Sequence, residues 1–508
     1  MGDRTKNTIR NIFSGLISKV FTLILPFIVR TIVIYKLGSE YIGLGSLFTS
    51  ILQVLSVTEL GFSSAIACTM YEPIAKKDIK RILESIALLK SVYRIIGTII
   101  LIAGLILVPF LPILIKDSNN VDVNIYFLYL IHLSNTVISY FGYGYQNTVL
   151  SANQRYDMIS RVDAIIAIIR GAVQIIVLLC SSNYYLYVIT LPVFTIVSNC
   201  MINHAVGKLY PELNVRIEFS LMGIRAIWKK IGGIAIGRVS LMCRNSFDSI
   251  IISSLIGLNT VAIYSNYYLI YSSISSVLAI ILNAMAASVG NSLVLNTVEK
   301  NEKDHLKFDF FYEIIVGFCT ICLFLLYQPF MSLWVGEKLV FPFLTMTLFC
   351  GYFYVNQLAQ VRSVYSEAAG LWWHFRYLTI GEMLANLGLN IGFGYLLGVN
   401  GIIIATIITA FCGSFLGCSI ITYSKLFNKS PKCFFANNFL YFSVTLCGCI
   451  LGLILFGTYQ PQSILELGLN VILVCLYAIA FLLIVYGCIP KTRTFMKNVP
   501  FIKKHNKK

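Results

Sequence analysis

Long apolar runs decide what this chain can fold into. Stretches of about 20 or more hydrophobic residues recur from one end to the other, each long enough to cross a hydrocarbon core of about 30 Å as an α-helix. Only 12% of the 508 residues are charged, against 57% hydrophobic, whereas soluble domains carry about 25% charged residues. A membrane β-barrel would instead alternate apolar and polar residues over segments of about ten. The sequence is therefore that of an all-α integral membrane protein. Its first apolar run is too long for the core of a signal peptide and lacks a small-residue cleavage site, so it is read as a retained span.

Hydropathy predicts fourteen transmembrane helices, at about 12–35, 42–69, 91–113, 125–149, 158–180, 184–207 and 231–257, then 260–290, 310–334, 341–366, 372–398, 400–424, 434–457 and 464–489. Short turns such as "LGSEYIG" and "LGVNG" join odd spans to even ones, and longer basic loops join even to odd. One side holds clusters such as Lys76, Lys77, Lys80 and Arg81, while the other has only Lys36, Lys116 and Lys338. The positive-inside rule makes the basic side cytoplasmic and places both termini there. The net charge of +17 thus reflects membrane topology rather than nucleic-acid binding. The basic tail, 491–508, is expected to anchor that topology and to touch lipid headgroups.

The turn "LGSEYIGLGS" (37–46) aligns with "IGLNTVAIYS" (256–265), superposing Leu37-Gly38 on Ile256-Gly257; the same offset brings Lys19 onto Arg238. Two six-span lobes are a common transporter plan. The expected organisation is an N-lobe over 1–218, a C-lobe over 219–430, two additional spans over 431–490, and the tail.

Charges inside spans are expensive, at least about 2.5–3.5 kcal/mol at the bilayer centre, and are normally kept for a use. Lys90 and Arg94 begin a span and can snorkel to the interface. Lys19, Arg30, Arg170, Arg238, Arg244 and Arg362 are harder to dismiss. Lys19 and Arg30 share one face of the first span with Pro26 between them, and the proline is a candidate hinge because it cannot donate a backbone hydrogen bond. Arg244 and Asp248 are i,i+4 neighbours in "IGRVSLMCRNSFDSIIISSLIGL", and Asp248 is, with Glu382, a candidate for coupling to H⁺ or Na⁺ or for lining a polar cavity. Buried acids fall mostly towards span ends: Glu59, Asp163, Asp248, Glu313, Glu367 and Glu382. Glu382 begins a polar ladder with Asn386 and Asn390, readable as cavity lining, an ion-coupling element or interhelical glue. His132 is read as a packing histidine, and the fourteen cysteines, the pair Cys319 and Cys322 among them, as packing residues rather than a metal or redox site.

An interior that is largely basic points to an anionic passenger. Guanidinium groups match phosphate oxygens bidentately, which favours a pyrophosphate. The cationic-cavity candidates are Lys19, Arg30, Arg170, Arg238 and Arg244. No catalytic constellation and no P-loop is present, so neither enzymatic activity nor a cofactor or metal is expected.

The stretch "LGSEYIGLGSLFTSILQVLSVTELGFSSAI" followed by "MYEPIAKKDIKRI" (37–66 and 70–82) resembles the polysaccharide-transporter branch, the Wzx-type flippases, of the multidrug/oligosaccharidyl-lipid/polysaccharide (MOP) flippase superfamily. The resemblance implies a bacterial cytoplasmic-membrane protein that moves an undecaprenyl-pyrophosphate-linked oligosaccharide, a repeat unit of O-antigen, capsule or exopolysaccharide, to the outer leaflet. It also implies two six-helix lobes in a V around a cationic cavity, as in MATE transporters, and alternating access. Its partners would be the polyprenyl-linked glycan, membrane lipids and glycan polymerase or ligase machinery. Lys19, Arg30, Arg238 and Arg244 match the family's basic cavity residues by location only. Two rival readings stay open: an ion-coupled multidrug exporter on the same scaffold, and more remotely a membrane glycosyltransferase or ligase.

Overall fold

The computed structural model describes residues 22–56, 62–116, 122–213, 240, 242, 244, 246–457, 459, 461–490 and 492. Every regular element among them is helical. Helix occurs in each span expected from hydropathy, although the seventh is described continuously only over Ser246–Leu255. Eight of the described helices are long and apolar enough to cross a membrane. Their outward residues, among them Ile102, Ile106, Ile113, Ile454 and Leu465, are half or more exposed, the surface expected of helices solvated by lipid. This is a multi-pass membrane protein.

The chain forms two compact units, Met1–Ser265 and Asn266–Lys508. In the first, helix Tyr184–Leu209 packs on both Ile125–Phe141 and Tyr156–Cys180, and Phe62–Lys76 packs on Ile79–Leu107. Side chains of Asp78, Asn124 and Asn183 cap the N-termini of three of these helices, accepting from backbone amides that have no helical partner. The core includes Leu44, Leu47 and Phe48 of helix Ser39–Leu55, with Phe48 edge-on to Tyr129 at 5.4 Å. The expected fourth span is interrupted. Its helix stops at Phe141 and resumes as Gln146–Ala152, because the glycines of "YFGYGYQ" let the chain turn there.

In the second unit, the long helix Val298–Val335 packs on Phe343–Gln357, Lys432–Phe456 and Ile464–Cys488. A hairpin of Trp372–Leu397 and Val399–Thr409 turns at Gly398, which has a φ of 61°. The expected tenth span is divided into Phe343–Gln357 and Gln360–Ala368, and the twelfth changes to π-helix over Ala410–Gly417. Cys322 and Cys475 approach to 4.0 Å as free thiols in the packing of this unit.

Candidate functional site

The two aligned turns have the same backbone. The amides of Leu37 and Gly38 both donate to the carbonyl of Val33, and those of Ile256 and Gly257 both donate to that of Ile252. Gly38 and Gly257 have φ of 118° and 137°, which only glycine adopts without strain. Within the first unit the helices leaving these turns lie side by side. Ser39 Oγ donates to Asn259 Oδ1 at 2.9 Å, and a Cβ on Gly43 would fall 2.2 Å from the Leu258 carbonyl oxygen.

Arg30 lies on helix 22–36, facing this helix pair. Its Nη2 donates to Ser46 Oγ at 3.5 Å and to Ser265 Oγ, two serines that the repeat places at equivalent positions. The Nε is buried with no hydrogen-bond partner among the described residues. Tyr184 and Tyr187, stacked with centroids 5.5 Å apart, lie in the field of the guanidinium. Tyr184 is held in place by its hydroxyl, which donates to the Tyr41 carbonyl at 2.7 Å. Tyr187 also lies in the field of Arg170, which acts on the Asp163 carboxyl as well. Arg170 is half-buried. Among the described residues, no carboxylate forms an ion pair with either arginine.

The other candidates sit differently. Lys19 and Arg238 lie outside the described residues. Pro26 is within helix 22–36, one turn before Arg30, and is exposed. Arg244 and Asp248 are both deeply buried, and Asp248 Oδ2 accepts from Tyr264 Oη at 2.8 Å. Asp248 lies one helical turn from Arg244, whereas among the described residues no carboxylate forms an ion pair with Arg30.

Glu382, Asn386 and Asn390 form a buried ladder in the second unit. Asn386 donates to Thr406 and Thr409 at 3.1 and 3.2 Å, and Asn390 donates to Asn386 at 3.3 Å. Glu382 accepts the Ser414 hydroxyl at 2.8 Å. Arg362 Nη2 donates to the Ser414 carbonyl at 3.2 Å, inside the π-helical turn. These bonds tie neighbouring helices together. His132 packs edge-on to Phe48 at 5.5 Å.

Composition also missed a cavity. A space of about 430 Å³ in the first unit is lined by Tyr93, Tyr140, Tyr156, Ser139, Asn147 and Thr148, among others. Tyr140 belongs to the "YFGYGY" run, and the helix break after Phe141 shapes this wall. Hydroxyls and aromatic faces together suit sugar rings.

The fold is similar to those of solved transporters of the MOP superfamily and of a lipid II flippase. An inward-facing multidrug resistance MATE family transporter of that superfamily superposes with a TM-score of 0.63 at 15% identity, covering 82% of this chain and 98% of its own. Lipid II flippase MurJ in an inward closed conformation gives 0.62 at 15% identity, covering 95% of this chain and 99% of its own. A MATE crystal structure in the bent conformation gives 0.53 at 18% identity, covering 83% and 96%. No family model matches the sequence, and no curated protein matches it.

Proposed function

We propose that this chain is a flippase for an undecaprenyl-pyrophosphate-linked oligosaccharide, moving an O-antigen, capsule or exopolysaccharide unit from the cytoplasmic to the outer leaflet of a bacterial cytoplasmic membrane by alternating access. The observation that carries the reading is Arg30: a guanidinium within a membrane helix, held by neutral serines, with a buried Nε unengaged and a second arginine, Arg170, acting on the same Tyr187. An uncompensated charge there is costly and is normally functional. A pyrophosphate would complete it with charge-assisted hydrogen bonds. Lys19, Arg238 and Arg244 would extend the same basic path, Pro26 would let the first helix flex, and the tyrosine-lined cavity would receive sugars. The fourteen spans would form two six-helix lobes and two further helices, with both ends cytoplasmic. An inside-negative potential favours outward movement of an anion by about 2.3 kcal/mol per charge per 100 mV.

A multidrug exporter is the second reading, because the MATE fold fits as well as that of MurJ. The Arg30 cluster would repel a cationic drug.

Leaflet distribution decides between them. Cells depleted of the protein and treated with an impermeant glycan probe would show lipid-linked oligosaccharide retained inside, restored by the wild type but not by Arg30→Ala. Normal exposure with Arg30→Ala correctly inserted would overturn the cationic-site reading. Drug resistance on overexpression, without a glycan defect, would favour the exporter.

A further inference from the structure

Helix Val298–Val335 carries His305, Asp309 and Glu313 on one face, at successive i,i+4 positions. All three are at most 1% exposed. The side-chain amide of Asn438, on helix Lys432–Phe456, donates to Asp309 Oδ2 at 3.0 Å. That bond leaves Asp309 Oδ1, both Glu313 oxygens and Asn438 Oδ1 buried without a hydrogen-bond partner among the described residues. Tyr354 and Tyr486 stand beside Glu313, the Tyr354 hydroxyl close enough for a weak hydrogen bond to its carboxyl, and neither buried hydroxyl makes a hydrogen bond of ordinary geometry. Tyr441 faces both acids. One turn earlier, His305 pairs with Tyr423 at 3.2 Å within a layer of Phe427, Phe434 and Tyr365, and Arg362 faces that histidine. No lysine or arginine forms an ion pair with Asp309 or Glu313 among the described residues.

Two carboxylates one helical turn apart cannot both stay charged in a dry interior without a counter-cation. We propose that Asp309 and Glu313, with Asn438 and the hydroxyls of Tyr354 and Tyr486, form a binding site for a monovalent cation, a proton or Na⁺, inside the second unit. The unengaged atoms are all oxygens, the ligands that hard cations take. Mg²⁺ is disfavoured because it gives up water reluctantly and the walls here are aromatic. The site stands independently of the flippase reading, since its test uses no glycan.

The test is thermal unfolding of the purified full chain in detergent, in NaCl against choline chloride at equal ionic strength, and across pH 5.5–8.5 in sodium-free buffer. If Na⁺ is the occupant, the melting temperature rises with NaCl over choline, and the rise is lost in Glu313→Gln and Asp309→Asn. If a proton is the occupant, sodium has no effect, the melting temperature falls as pH rises, and both variants flatten that dependence. Both substitutions are near-isosteric and neutral, so they relieve rather than create buried charge. A wild type indifferent to sodium and pH, or variants that keep the full dependence, would overturn the proposal.

Discussion

Replacing Arg30 by methionine, a straight apolar chain of similar length, separates a side chain kept for binding from one kept for packing. The change removes the bond to Ser265 and the long contact to Ser46. A hydrogen bond to a charged group contributes about 1.5–3 kcal/mol. Against this, it removes a charge whose burial costs several kcal/mol even after relaxation, and an unpaired Nε that costs about 1–3 kcal/mol more. Arg30 is only half-buried, so the first of these terms is reduced. Replacing a poorly compensated buried ion by an apolar side chain is often neutral or stabilising by about 1–4 kcal/mol. Arg30→Met should therefore unfold at the same or a higher temperature in detergent while glycan export fails. A melting temperature that falls, with Ser46→Ala and Ser265→Ala reproducing the fall, would refute the reasoning and make Arg30 a clamp between the two helices.

Gly43→Ala places a Cβ 2.2 Å from the backbone oxygen of Leu258, and backbone cannot swing aside; overpacking of this kind costs about 1–3 kcal/mol, to be read as a lower melting temperature. Tyr264→Phe removes the hydroxyl that Asp248 accepts at 2.8 Å and should destabilise by about 1–3 kcal/mol in the same assay. Asn386→Ala breaks two interhelical bonds. Membrane hydrogen bonds of this sort average about 0.6 kcal/mol, with a maximum of about 1.7, so the predicted loss is small and export should persist. If Asn386→Ala abolishes export in a stable, inserted protein, the ladder is cavity lining rather than glue.

The helices were legible because length and apolarity are what a bilayer demands. Their interruptions were not. The break after Phe141, the break between Gln357 and Gln360, and the π-helical turn at Ala410–Gly417 change hydrogen-bond register without changing hydropathy. Arg30 and Arg170 stood out because a guanidinium in an apolar run is conspicuous. Ser46 and Ser265 did not, since a hydroxyl can bond its own helix and cost little in a span. Asp309 was hidden for a different reason. It ends the charged stretch "VEKNEKDHLKFD", where an acid looks solvated, and only the continuation of one helix from Val298 to Val335 shows that it points into packed aromatic residues.

The repeat explains why a common scaffold can carry unequal chemistry. At the shared offset, Val33, Leu37 and Gly38 correspond to Ile252, Ile256 and Gly257, and the backbone bonds agree atom for atom. Backbone geometry is therefore what the two copies hold in common. The first copy joins its helices by a basic pair, Arg30 to Ser46, and the second by an acidic one, Asp248 to Tyr264, with the same spacing along the chain. The repeat equivalent of Arg30 is Ser249, and that of Asp248 is Val29. The first unit thus carries a guanidinium held by neutral partners, while the Asp248 carboxylate is turned to a tyrosine and buried. Losing Arg30 alters the local charge without altering the turn that sets the helices. Passenger selectivity and scaffold stability can then be changed separately.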